Sequence, residues 1–519
     1  MKRFPVSLLI LLILIGLFFS ASCRRDKNFF VMALSSNPES LDPMQSQNAD
    51  GERLRQLIFN SLIRKNETLE YVGDLAESYQ ISGDKLSVTF ILQRQVKFHN
   101  GKHLTSADAK YSLETLLDPE RDYRKAASFF EGAGNNRKSF IVSVEAPDET
   151  TLIVHLRKPF AKLLSNLVAI PIIPQGSADQ QKTHPLGSGA FKFVRFDASQ
   201  QMIDLEANQN YWEGAPEIGH LRVRTILDGN SIQAELISGR LDCAFVTNIS
   251  PDAYRALAKN PRLQVVELPG SNVDYLAFNT QSKPVNDPRL RQAIGYGIDR
   301  ESLIKYLLLD QFQIAYSILP PQSWGYASGI KYSYDPRRAR SILDEAGLKD
   351  PDGDGRVMRL TEPIVLKVSA SNTIRQQIAG VIQNNLKEIG LPVRVETVED
   401  NILFDQQRKG QYQMSISQWV GGNQDPIFLK DLFGTGEAFN RTRYSNVELD
   451  QILNEASEST DRVRAFSLYS KAQDIVSRDL PMLALWYKDN MIVARQGVSN
   501  IKVDASGDWS FVGRLKISN

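Results

Sequence analysis

The sequence is poor in the residues that most often carry chemistry: two cysteines and five histidines in 519 residues. Cys23 and Cys243 are too few for a disulfide framework, so the fold must rest on a hydrophobic core, which ~500 residues can supply. Net charge is almost absent, with 61 Lys plus Arg against 60 Asp plus Glu. No basic stripe points to nucleic acid, and no acidic tail points to a cationic partner. Also missing are GxSxG, GxxxxGK[ST], HExxH, and GxGxxG after a strand. Neither an enzyme nor a resident cofactor or metal is expected. His99 and His103, in VKFHNGKHL, flank an Asn-Gly turn and read as surface imidazoles on a loop, not as metal ligands. Cys243, in LDCAFV, lies in an apolar run and reads as an inert buried thiol. DPDGDGR (350–356) copies the start of a calcium loop, but position 12 counted from Asp350 is Thr361, so an acidic turn is expected there.

Long apolar runs are absent except at one place. Lys2 and Arg3 precede the uncharged run Val6–Phe19, then Ser20, Ala21 and Ser22 lead to Cys23. This order predicts a secretory signal peptide over 1–22, with an uncleaved membrane anchor as the alternative. Cys23 at the junction resembles a bacterial lipoprotein signal, although Ser20 occupies the place where such signals usually carry Leu. The expected mature protein is exported, periplasmic or at the cell surface, and lipid-anchored through a tether over 23–28. Without Lys2 and Arg3 its basic count falls from 61 to 59 against 60 acids.

What is present is a mixture of short β-type runs and amphipathic helices without simple alternation. Strands are expected at 29–34, 86–92, 151–156, 263–268, 274–279 and 363–371, each rich in Val, Ile, Leu, Phe or Tyr. Helices are expected at 104–118, 228–239, 286–308, 335–347, 372–390, 446–458 and 460–479. The last has Ser459, Thr460 or Asp461 as N-cap. The pattern implies α/β lobes with mixed sheets.

Several strings occur in a telling order: ESLDPMQSQNADGERLRQLIFNSLI (39–63), LAESYQISGDKLSVTFILQRQVKFHNGKHLTSADAKYSLE (75–114), PLGSGAFKFVRF (185–196), ANQNYWEGAPEIGHLRVRTI (207–226), ELISGRLDCAF (235–245), YLAFNTQSKPVNDPRLRQAIGYGIDRESLI (275–304) and DPRRARSILDEAG (335–347). Over about 29–510 the chain resembles the bacterial extracellular solute-binding proteins of the oligopeptide, dipeptide and nickel class, family 5. The resemblance implies an α/β fold of the periplasmic-binding-protein type (class II), with two main lobes, mixed sheets and an extra inserted lobe. Lobe I would comprise 29–62, 184–272 and 493–519, lobe II 63–183, and lobe III 273–492. It also implies capture of a peptide or other small-molecule solute by hinge closure between lobes I and III. The partners implied are the permease and ATPase subunits of an ABC importer, and the protein would be a monomer. Alternatives are a receptor for a sugar or metal chelate, or a surface sensor or adhesin without a transport role.

The same resemblance nominates ligand-binding residues. QWVGGNQDP (418–426) matches the stretch around the ligand's charged end, which puts Trp419, Val420, Gly421, Gly422, Asn423 and Asp425 in the site. Gly422 stands where the family carries an Asp that pairs with a peptide's ammonium, leaving Asp50, Asp274 or Asp425 to replace it. Tyr275, Ala277 and Asn279 lie on a strand whose backbone is expected to bind an extended ligand by strand addition. Thr247, Asn248, Ala49 and Asp50 lie on loops expected to reach the cleft.

Overall fold

A computed structural model describes residues 28–519 apart from 39, 47, 67–68, 132–136, 247–250, 350–359, 371, 420–424, 438, 460, 504–506 and 519. Its spine is an eleven-stranded mixed sheet. From one edge the order is Phe191–Asp197, Met202–Ala207, His220–Thr225, Phe30–Leu34, Cys243–Phe245, Met482–Arg495, Leu263–Phe278, Met414–Trp419, Ile364–Ser369 and Val393–Val398. Phe312–Ile314 pairs with Met482–Arg495 away from this path.

The two strands at the centre, of 16 and 14 residues, run antiparallel and cross from one half of the protein to the other. The runs 263–268 and 274–279, expected as separate strands, are one continuous strand. Pro269 and Gly270 do not end it; they loosen it. Pairing with Met482–Arg495 shifts register between Leu268 and Asn272, as suits a proline that cannot donate to a ladder. Gly270 is required there, because a Cβ would lie 2.0 Å from the Lys488 carbonyl oxygen.

Beyond that irregularity the alternation of a pleated strand sorts side chains to two faces. Leu276 and Phe278 join the core with Ile378, Ile382 and Leu386 of the helix Thr373–Glu388. Tyr275 and Ala277 pack on the opposite face with Phe428, Leu449 and Tyr469. On the other side of the irregularity, Ile492 and Ala494 belong to a core with Met32, Cys243 and Phe245. Cys243 is fully buried, and burial pushes its thiol up to about 12, as an inert core residue requires.

A four-stranded antiparallel sheet, Ala76–Ile81, Ser87–Leu92, Thr151–Leu156 and Ile141–Glu145, interrupts the first half. Its helix Ser106–Leu117 opens on a reciprocal cap between Thr105 and Asp108. The apolar side chains of this insertion are continuous with the core around Met32 and Phe245. The expected turn at 99–103 is closed by a bridge between Lys97 and His103. His103 is exposed, but His99 is no surface imidazole. Its Nε2 lies 3.0 Å from the Gly189 carbonyl, and its Nδ1 accepts from the Gly187 amide at 3.4 Å. Burial drives its pKa down to about 4. Sequence spacing missed this because the partners lie some 90 residues downstream.

Candidate functional site

Four strands from both halves end at one place. Cys243–Phe245 runs toward the irregularity, with Phe245 opposite Ile492 of the second crossing strand. Phe30–Leu34 is parallel to it and ends at Ser35 and Ser36. From the other half, Met414–Trp419 runs toward the same point and ends with Trp419 opposite Val273. Ile364–Ser369 is parallel to that strand and leads to the helix bearing Arg375. The carboxyl ends of the four strands therefore converge around 268–272 and 488–490, the arrangement in which α/β sheets place ligand crevices.

Asp50 is held at this convergence, 2% exposed. It accepts from Ser35 Oγ (3.0 Å), the Ser36 amide (2.6 Å), Ser36 Oγ (2.8 Å) and Arg53 Nη1 (2.6 Å). Arg53 in turn stacks 4.4 Å over the Phe245 ring. Ala49, exposed, is the first residue of the helix Ala49–Ile58, capped by Asn48. Asp274 is also buried, with Arg375 Nη2 at 3.2 Å, Lys488 Nζ at 3.5 Å and Trp486 Nε1 at 3.0 Å. Burial opposes its ionisation, yet Lys488, Arg375 and the Trp486 hydrogen bond outweigh that and hold its carboxyl below the usual range.

Asp425 accepts from the Tyr71 hydroxyl at 2.6 Å and from the Ile427 amide at 3.0 Å. It thus caps the turn into the helix Phe428–Phe433 and ties it to the insertion. Burial, and next the Asp425 charge, raise the Tyr71 pKa, so its hydroxyl stays a donor. Trp419 is partly buried, 4.6 Å from Phe428 and 5.6 Å from Phe439 between ring centres.

Three of the nominated residues lie away from the convergence or have no free edge. Tyr275 pairs with Ser417 on one side and Ala484 on the other, and Ala277 with Ser415 and Met482. Strand addition there has no open edge, because this strand is interior. Asn279 sits past the far end of the strand, where its side-chain amide donates to the carbonyls of Gly410 (2.8 Å) and Tyr412 (3.0 Å). Thr247, Asn248, Val420, Gly421, Gly422 and Asn423 lie outside the described residues, as do Cys23 and the acidic turn 350–356.

Residues the sequence did not nominate stand beside those it did: Arg375 on Asp274, Phe439 and Arg441 around the Trp419 ring, and Phe404 against Arg441. Arg375 had a signal, since it opens a helix directly after a strand that ends at the convergence. Tyr71 had none, being 354 residues from its partner Asp425.

The model of the bacterial extracellular solute-binding proteins, family 5 (middle region), matches residues 70–440. The chain belongs to this family. This family 5 protein is similar to heme-binding protein A of Haemophilus influenzae, 29% identical over 88% of this chain and 86% of that protein. It is also similar to di/tripeptide-binding protein 2 of Pseudomonas aeruginosa, 28% identical over 98% of each. Among solved structures it resembles DppA from Helicobacter pylori in complex with the peptide STSA, with a TM-score of 0.74 and 25% identity over 95% of this chain and 98% of that one. NikA from Brucella suis, in complex with Fe(III)-EDTA, shares the fold at a TM-score of 0.83 and 22% identity, over 94% and 99% of the two chains. The expected mixed α/β fold of periplasmic binding proteins is the one observed.

Proposed function

We propose that this family 5 protein is the solute receptor of an ABC importer, taking a peptide or peptide-like solute between lobe I (29–62, 184–272, 493–519) and lobe III (273–492). The observation that carries the reading is the convergence of four strand ends from both halves around one irregularity in the crossing strands. A bulged pair of strands is a natural hinge, because few backbone bonds must change for the halves to rotate. The names of the relatives that bind di- and tripeptides support the ligand class. In this reading Trp419, Asp425, Ala49 and Asp50 line or brace the cleft. Tyr275, Ala277 and Asn279 act as the scaffold beneath. The protein captures without chemical turnover, works as a monomer, and is exported and held at the membrane by lipid on Cys23.

Native mass spectrometry of the mature protein with its co-purified solute tests the ligand class, and titration calorimetry with di- and tripeptides tests it independently. Peptides in either experiment are the expected result. Sugars or metal chelates alone would remove the peptide assignment and keep the receptor. For the anchor, palmitate labelling should be lost in Cys23→Ala, and labelling that survives that change would end the lipoprotein reading.

A further inference from the structure

A buried N–H donor and a guanidinium lie near each other beyond the end of Met414–Trp419. Among the described residues the Trp419 indole Nε1 is buried without an acceptor. The Arg441 guanidinium, half-buried, lies 6.0 Å from the Trp419 ring centre and 4.5 Å from that of Phe404. Among the described residues it has aromatic neighbours and no ion pair or side-chain hydrogen bond. A buried N–H without a partner costs about 1–3 kcal/mol, so an acceptor is the group this place lacks.

The acids nearby do not supply it. Asp425 is taken by Tyr71 and the Ile427 amide. Asp274 sits on the opposite face of its strand, with Arg375, Lys488 and Trp486. Asp50 is taken by Ser35, Ser36 and Arg53. On the helix that carries Phe404, Asp400 accepts from Ser369, and Asp405 is shared by Arg408 and Lys409. Position 422 is glycine and brings no carboxylate. Phe404 and Phe439 meanwhile leave large ring faces open, 51% and 46% exposed. A free ammonium placed here would meet a cation and an N–H donor, and each of the acids just named is already committed.

We infer that the cluster of side chains around Trp419 binds a carboxylate of the solute, with Arg441 and the Trp419 N–H as its donors and the Phe404 and Phe439 rings against its apolar body. This rests on the solute-receptor reading and fixes the polarity of one end of the cleft. Arg441 suits the task, since a guanidinium stacks on rings and still presents a planar fork to a carboxylate.

The test uses one tripeptide, Ala-Phe-Ala, in three forms on the mature protein by titration calorimetry: free termini, N-acetylated, and C-amidated. The acetylated acid is expected to bind within about threefold of the parent, and the amide about tenfold or more weaker, as loss of a charge-assisted bond implies. Arg441→Gln should collapse the difference between acid and amide to within about threefold, and Arg441→Lys should restore part of it. Trp419→Phe, which keeps a ring and deletes the N–H, gives a second reading should Arg441→Gln fail to fold, and should weaken the acid selectively. An amide that binds as well as the acid, or a difference that survives Arg441→Gln, overturns the carboxylate assignment and leaves the peptide reading standing. If none of the three forms binds, the peptide reading fails, and the co-purified solute decides. An acidic solute lost in Arg441→Gln supports the inference; a neutral or cationic solute, or no solute, overturns it.

Discussion

At the level of single residues, His99 and Asp274 carry opposite lessons about buried charge. Burial keeps the His99 ring neutral, with one nitrogen donating to Gly189 and the other accepting from Gly187. Its folded pKa of about 4 lies below the ordinary ~6.5, so the unfolded chain takes up the proton first. The stability this provides is present above about pH 6.5 and is lost as the pH falls toward 4, by roughly 2 kcal/mol allowing for partial solvent access to the ring. Thermal denaturation of His99→Gln should therefore show a shallower fall between pH 6.5 and 4 than the parent; identical slopes would refute the assignment. Asp274 is the reverse, an ionised carboxylate that Arg375, Lys488 and Trp486 keep charged inside the sheet. Asp274→Asn leaves two cations without a counter-charge, and breaking such a buried arrangement costs about 3 kcal/mol. Chemical denaturation should register it at neutral pH, and a change below about 0.5 kcal/mol, the size of an ordinary surface substitution, would count against a structural role.

At the level of elements, the irregularity in the crossing strands depends on a close approach of two backbones. A Cβ on residue 270 would meet the Lys488 carbonyl oxygen at 2.0 Å. Backbone must move to admit it, so Gly270→Ala should lower stability by about 1–3 kcal/mol in urea. An unchanged midpoint would mean that the crossing strands open freely at this point. The same region explains what sequence patterns convey and what they do not. Helices with a clean apolar stripe and a polar cap were legible to within a few residues, as with Arg462–Asp479 capped by Asp461 and Thr373–Glu388 capped by Asn372. The helix expected over 286–308 breaks at Ile298, where Asp299 caps a new start through the Ser302 amide at 2.9 Å. Met482–Arg495 was not among the expected strands, because Lys488, Asp489 and Asn490 interrupt its apolar run where it crosses between halves. Pro269 and Gly270 split its partner for the same reason. Trp419, Asp425 and Asp50 could be named from the sequence as candidates. Their pairings could not, because contacts such as Tyr71 with Asp425 leave no trace in local spacing.

Across the whole molecule, the insertion and the second half touch through a row of polar contacts that bridges their long separation in sequence. Tyr71 donates to Asp425 at 2.6 Å, and Lys162 pairs with Asp431, so both ends of the turn and helix over 425–433 are gripped. Arg462 meets Glu70 at 3.1 Å, and Lys85 donates to the Glu458 carbonyl at 2.6 Å. The last two are solvent-exposed and each contributes little, on the order of 0.5 kcal/mol. The Tyr71 bond is stronger, because a hydrogen bond to a charged group is worth about 1.5–3 kcal/mol. In the proposed hinge motion these contacts belong to the closed state, and a device that favours one state can shift an equilibrium only by its difference between the two. Tyr71→Phe keeps the ring and deletes the donor, so the closed population should fall and solute affinity with it, by about tenfold for a loss near 1.4 kcal/mol. The change should appear as faster dissociation with a nearly constant association rate. Small-angle scattering of the ligand-free variant should show a larger radius of gyration than the parent. Unchanged dissociation together with an unchanged scattering curve would assign Tyr71 and Asp425 to stability alone, and would leave closure to the crossing strands.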